Sequence, residues 1–236
     1  MAIRNLVIDA EDPGAVARFW AGLLGWQPAG EAEVRPPASD GCEFGLVFDQ
    51  AHQPKQGKNR LHLDLASHTP GHQKSIVDKA LSLGARHLDL GQGDVPWVVL
   101  ADPENNEFCV LEPRDVYLEA GALAALVIDA HEPDVLATFW SGATGWPIKN
   151  RDPAIVGLHA PSERGPWLEC LRTKDIKNGK NRLRLELELG LGENRDTGTG
   201  RLRAAGAMPL ETGDHLMADP EGNEFHPHGY PRGVTF

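Results

Sequence analysis

At 236 residues the chain holds about one and a half domains of ordinary size. Its 41% hydrophobic and 24% charged residues supply a packed core, which excludes a largely disordered chain. Its 23 basic and 34 acidic residues leave a formal net charge of −11, which argues against nucleic acid or an anionic membrane as partner and favours a neutral or cationic small molecule. No stretch approaches the ~20 apolar residues of a membrane span, and acidic Asp9, Glu11 and Asp12 interrupt the N-terminus before a signal-like apolar run could form. Cys42, Cys109 and Cys170 are few, odd in number and far apart, and read as reduced thiols of a cytoplasmic protein.

In chain order, Ile3 to Asp9 reads as a strand. Asp12 offers an N-cap, Pro13 takes the first helical position, and Val16, Trp20, Leu23 and Leu24 form an apolar stripe that Gly25 closes. Two strands follow, near Arg35 and from Glu43 to Phe48, separated by the turn-rich PPASDG. Leu61 to Leu65 alternates cleanly, placing His62 and Asp64 on one face and three leucines on the other. Ile76, Val77, Ala80 and Leu81 make a second helical stripe, closed by Gly84. The strand Trp97 to Ala101, the turn Asp102 to Asn106 and the strand Glu107 to Leu111 complete the series.

The series then repeats. LVIDAEDPGAVARFWAGLLGW from Leu6 matches LVIDAHEPDVLATFWSGATGW from Leu126 at 12 of 21 positions. GKNRLHLDL from Gly57 matches GKNRLRLEL from Gly179 at seven of nine, and ADPENNEF from Ala101 matches ADPEGNEF from Ala218 at seven of eight. Three colinear matches indicate a duplication, with a boundary at Leu118 and domains 1–118 and 119–236. Each domain contains two βαβββ units, so the fold class is α+β, with curved mixed sheets and helices outside.

Some residues carry chemistry and others packing. The repeated tryptophans Trp20, Trp26, Trp140 and Trp146 read as core, and Asp102 and Asp219 as turn formers. Trp97 and Trp167 are not repeated and are placed to stack on a ligand or to fill the core. Cys109 is either an apolar filler or, near His62, an activated thiolate. Cys42 and Cys170 do not align and read as filler. His226 and His228 share a strand face, with His215 before them, although Pro227 weakens that strand. The GKNR segments read as turns leading into strands. No G-x-S-x-G, P-loop or Rossmann fingerprint occurs.

The helix D-x-x-x-x-x-x-F-W-x-x-x-L-G-W (Asp12, Phe19, Trp20, Leu24, Gly25, Trp26), R-L-H-L-D-L (Arg60 to Leu65), L-G-A (Leu83 to Ala85) and D-P-E-N-N-E-F (Asp102 to Phe108) resemble the vicinal oxygen chelate superfamily. Within it, the resemblance is to the glyoxalase-like, bleomycin-resistance and extradiol-dioxygenase group. The resemblance implies two tandem glyoxalase-like domains, each of two βαβββ units forming a curved mixed sheet around a cup that binds a small molecule. In metal-dependent relatives, histidine and glutamate of the first and last strands hold Fe, Mn, Ni or Zn. Those positions fall here on Asn5, His62 and Cys109, and in the second copy on Ala125, Arg184 and His226, which is neither a His-His-Glu triad nor the acidic ligand set of a glyoxalase I. Two readings follow. One is a small-molecule binder without the usual complete metal triad; the other is a metal-dependent lyase, isomerase or dioxygenase with domain 1 active. Ligand-facing candidates are Asn5, His62, Asp64, Cys109, Arg184 and Glu186. His62 is the catalytic candidate, and His62 and His226 are the metal-ligand candidates. The protein is expected to be a monomer with an internal pseudo-dimer, or a homodimer.

Overall fold

A computed structural model describes residues 1–190, 193–211 and 215–227. His228 of the C-terminal histidine pair lies outside the described residues. The first unit contains β1 (Ala2–Ala10), α1 (Pro13–Leu24), β2 (Gln27–Pro28), β3 (Glu33–Arg35) and β4 (Gly45–Gln50). The second contains β5 (Leu61–Leu65), α2 (Pro70–Ser82), β6 (Arg86–His87), β7 (Val98–Ala101) and β8 (Glu107–Val110). A short 3₁₀ turn, Asp115–Tyr117, leads to the third unit: β9 (Leu123–Ala130), α3 (Pro133–Thr144), β10 (Ile148–Arg151), β11 (Ile155–Leu158) and β12 (Trp167–Arg172). The fourth contains β13 (Leu183–Glu188), α4 (Arg195–Ala204), β14 (Met208–Pro209), β15 (Met217–Ala218) and β16 (Glu224–His226).

The expected α+β fold of four βαβββ units is present, in two eight-stranded mixed sheets. Each sheet takes one unit from either sequence repeat. Sheet A runs β14-β15-β16-β13-β1-β4-β3-β2, joining units 1 and 4, and sheet B runs β10-β11-β12-β9-β5-β8-β7-β6, joining units 2 and 3. The joints are antiparallel, β1 with β13 and β5 with β9. Within each unit the first and last strands run parallel, as β1 with β4 and β5 with β8.

Local chemistry explains the helices. Asp12 accepts a hydrogen bond from the Ala15 N–H at 2.9 Å, Pro13 costs nothing at a position whose N–H would be unpaired, and Gly25 takes the left-handed cap at φ 70. The buried faces of α1 and α3 knit the two sheets into one core. Trp20 of α1 meets Phe108 of β8, in the other sheet, at 5.1 Å between ring centroids; Trp140 of α3 meets Phe225 of β16 at 5.3 Å. Each indole N–H donates at 3.2 Å to the turn aspartate beside that phenylalanine, Asp102 or Asp219. Of the repeated tryptophans, Trp20 and Trp140 thus act together with the turn aspartates, packing each repeat's helix against a strand hairpin. The concave sides of the sheets are left to form two cups.

Candidate functional site

The cup of sheet B is built on β5, β8, β9 and β12. Strand register puts His62 beside Val127 and Asp64 beside both Ala125 and Cys109, while Val127 neighbours Glu169. The leucines between them turn to the opposite face, as period-two alternation requires. His62 Nε2 lies 3.5 Å from Asp64 Oδ1, and the Cys109 thiol donates to the Asp64 carboxylate. One ligand atom each from His62, Asp64 and Cys109 lie within 4.8 Å of one another. Tyr117 donates its hydroxyl to Glu169 at 2.8 Å. His62, Asp64, Cys109 and Glu169 border a cavity of about 150 Å³, whose walls include Trp97, Val99, Leu111, Ile155 and Leu171, with Lys58 and Arg114 also lining it. Arg114 is occupied: it pairs with Glu112 at 2.6 Å and lies over the rings of Trp97 and Tyr117.

Burial governs the protonation of this cup. It pushes the Asp64 carboxyl up, against the lowering influence of His62 and the Cys109 hydrogen bond. Glu169 rises to about 7, because burial and the nearby Asp64 charge outweigh the Tyr117 hydrogen bond. The Cys109 thiol is pushed well above its ordinary range by burial and then by Asp64. Both influences oppose the thiolate form, and the thiol donates to Asp64.

The corresponding face of sheet A carries different residues, which pair largely with one another, although Asn5 Oδ1 and Arg184 Nε are buried without a hydrogen-bond partner among the described residues. Register places Asn5 beside Glu186, Glu186 beside His226, and Val7 beside Arg184. The Asn5 amide donates to Glu186, and Arg184 pairs with Asp9 and, at 2.6 Å, with Asp49. Arg35 lies across Gly45, where a Cβ would come within 2.8 Å of its side chain. The sequence candidates therefore separate: His62, Asp64 and Cys109 share one cup, while Asn5, Arg184, Glu186 and His226 share the other.

Sequence reasoning missed two groups of the sheet B cup, Glu169 and Tyr117. The β5–β9 pairing has a local two-fold axis through Leu63 and Leu126, which equates His62 with Ala125 and Cys109 with Glu169. In sheet A the same construction equates Asn5 with Arg184 and His226 with Val47. Glu169 thus occupies a last-strand position whose counterpart in the other sheet is an apolar valine, so comparing the repeats gave no signal. One signal was available: a lone carboxylate on the cup-facing side of the apolar strand WLECL.

The donor set of the sheet B cup fits a divalent ion. Asp64 Oδ1 and His62 Nδ1 are buried without a hydrogen-bond partner among the described residues, and nitrogen, oxygen and sulfur converge there. His226 of the other cup is not part of that cluster.

The glyoxalase-like domain family matches residues 5–111 and again 125–226, so the chain belongs to that family. Glyoxalase I from Zea mays shares the fold at 12% identity, with a TM-score of 0.61 over 95% of this chain and 90% of that one. A putative dioxygenase from Bacillus subtilis does so at 12% identity and a TM-score of 0.55, over 95% and 84%. At these identities the likeness establishes the fold alone. No curated protein matches the sequence. No helix among the described residues is long and apolar enough to cross a membrane.

Proposed function

We propose that the protein binds a small organic molecule in the cup of sheet B, and that the cup of sheet A has given up this role. The carrying observation is the contrast between equivalent positions. His62, Asp64, Cys109 and Glu169 line a cavity with apolar walls, whereas at the equivalent positions of sheet A the Arg184 guanidinium is held by Asp9 and Asp49 and the Asn5 amide donates to Glu186. A cavity near 150 Å³ suits a ligand of about benzene size. Apolar Val99, Leu111 and Leu171 would hold its body, and His62 and the two carboxyls would orient its polar group. The cysteines form no disulfide among the described residues, which fits the cytoplasm, where such a binder would sequester or process a metabolite or drug. Since one chain supplies both halves of each sheet, a monomer suffices.

Calorimetry and thermal-shift measurements with benzene-sized amines, alcohols and phenols test this reading. His62→Ala should abolish the binding found, and Arg184→Met should leave it intact. Binding that survives the first and fails with the second would move the site to sheet A.

A second reading is supported by the unpartnered Asp64 oxygen. His62, Asp64 and Cys109 would together hold a divalent ion of the zinc type, which supplies a Lewis acid at the cavity floor. Metal analysis of freshly purified protein should find one equivalent, lost in His62→Ala. Cobalt substitution should show a thiolate-to-metal absorption band that Cys109→Ser removes. Protein without stoichiometric metal after loading would end this reading and leave the binder.

A further inference from the structure

The charges around the cup of sheet B pair off one by one, and two carboxyls are left over. The Lys58 ammonium is held by Asp129 at 2.7 Å, and the Arg114 guanidinium by Glu112 at 2.6 Å. Glu107, a further acid on the wall, pairs with Lys55 at 2.7 Å. Asp64 has the Cys109 thiol and, at 3.5 Å, the His62 imidazole, which is too distant for a good hydrogen bond; its Oδ1 is buried without a partner. Glu169 has the Tyr117 hydroxyl. Among the described residues, neither carboxyl pairs with a lysine or an arginine. The other repeat shows the alternative: in place of His62 it carries Arg184, a fixed cation bonded to Asp9 and Asp49.

A buried carboxylate without a cation is disfavoured, and these two also act on each other. Burial lifts both, and the Asp64 charge lifts Glu169 further. A cation in the cavity relieves both effects at once, which neither a neutral molecule nor an anion can do. The walls supply the rest of the recognition. Val99, Leu111 and Leu171 accept an apolar body, which a cavity of about 150 Å³ limits to about one six-membered ring. The Trp97 indole is fixed by its N–H bond to Gln92 at 2.9 Å, and an aromatic face beside the acids favours a positive charge.

We propose, resting on the binder reading above, that the ligand of this cup is a small apolar amine, held as its cation by the unpaired Asp64 and Glu169 carboxyls. The intact chain is dialysed against a chelator and titrated by calorimetry at pH 8 with three molecules that share a ring and differ in head group: benzylamine, benzyl alcohol and benzoate. At that pH Glu169, raised to about 7, is ionised and the amine is still a cation. Benzylamine should bind about tenfold tighter than benzyl alcohol, as expected of one charge-assisted contact, and benzoate should not bind. Glu169→Gln keeps an acceptor for Tyr117 and should bring the amine and the alcohol to equal affinity. If that variant loses its melting transition, Asp64→Asn carries the same expectation. Alcohol or benzoate bound as tightly as the amine would overturn the proposal and leave the binder standing. No binding by any of the three would overturn the amine and, with the wider panel also silent, the binder as well. A preference for the amine that survives both substitutions would place the cation away from these carboxyls and overturn the assignment.

Discussion

Glu169 shows how one side chain can set the pH response of the molecule. Its carboxyl is 7% exposed, accepts the Tyr117 hydroxyl, and is raised from 4.5 to about 7. A carboxyl raised on folding favours the fold when protonated. Its contribution is full below the unfolded value of 4.5 and is lost as pH rises through about 7. Glu169→Gln keeps an acceptor for Tyr117 and removes the titration. The wild type should therefore lose up to about 3 kcal/mol relative to this variant between pH 4.5 and 8, read from urea unfolding. Parallel curves would show that the charge is already compensated in the fold. His62 and Asp64 were legible in the sequence because alternation put them on one strand face, and Cys109 because the resemblance placed a ligand position there. Tyr117 was not, since it lies in the linker between repeats, where no strand pattern applies.

At the scale of elements, the D-P-E-x-N-E-F turn does more than reverse the chain. Its aspartate organises the turn, with Asp102 accepting from the Glu104 and Asn106 N–H groups at 2.9 Å each. Its glutamate reaches the other repeat or the other sheet. Glu104 accepts the Glu11 and Asp12 N–H groups ahead of α1, and Glu221 accepts those of His131 and Glu132 ahead of α3. A carboxylate is favoured there by the positive end of each helix dipole. Each glutamate also pairs with a buried arginine, Glu104 with Arg182 and Glu221 with Arg60. Glu221→Ala would leave Arg60, which is 7% exposed, with the Asp129 and Asp175 carbonyls but no countercharge, and should cost roughly 3 kcal/mol in chemical denaturation. The exposed Lys74–Asp78 pair sets the contrast: Lys74→Ala should cost under about 0.5 kcal/mol. Equal losses would mean that the glutamate clamp has no special role. The turns were plain from sequence because Asp, Pro and Asn favour them locally. The clamps were not, because their partners lie between 78 and 161 residues away, separations at which turn chemistry is silent.

For the whole molecule, duplication was legible and the choice of pairing partner was not. β5 and β13 descend from the same repeated segment, so the same local pattern lets β1 pair with either. The structure chooses across repeats, β1 with β13 and β5 with β9. The fragment 1–118 would then expose the pairing edges of both β1 and β5, each the centre of an unfinished sheet. Two copies can finish both sheets by laying β1 of each on β5 of the other. That arrangement closes with two-fold symmetry and reproduces the internal pseudo-dimer of the full chain. Light scattering behind size exclusion should therefore find the isolated fragment as a dimer. Coexpression with 119–236 should instead yield a one-to-one complex with the melting behaviour of a single cooperative fold. A folded, monomeric 1–118 would require β1 and β5 to pair within one repeat, and that result would overturn the cross-repeat arrangement on which both cups depend.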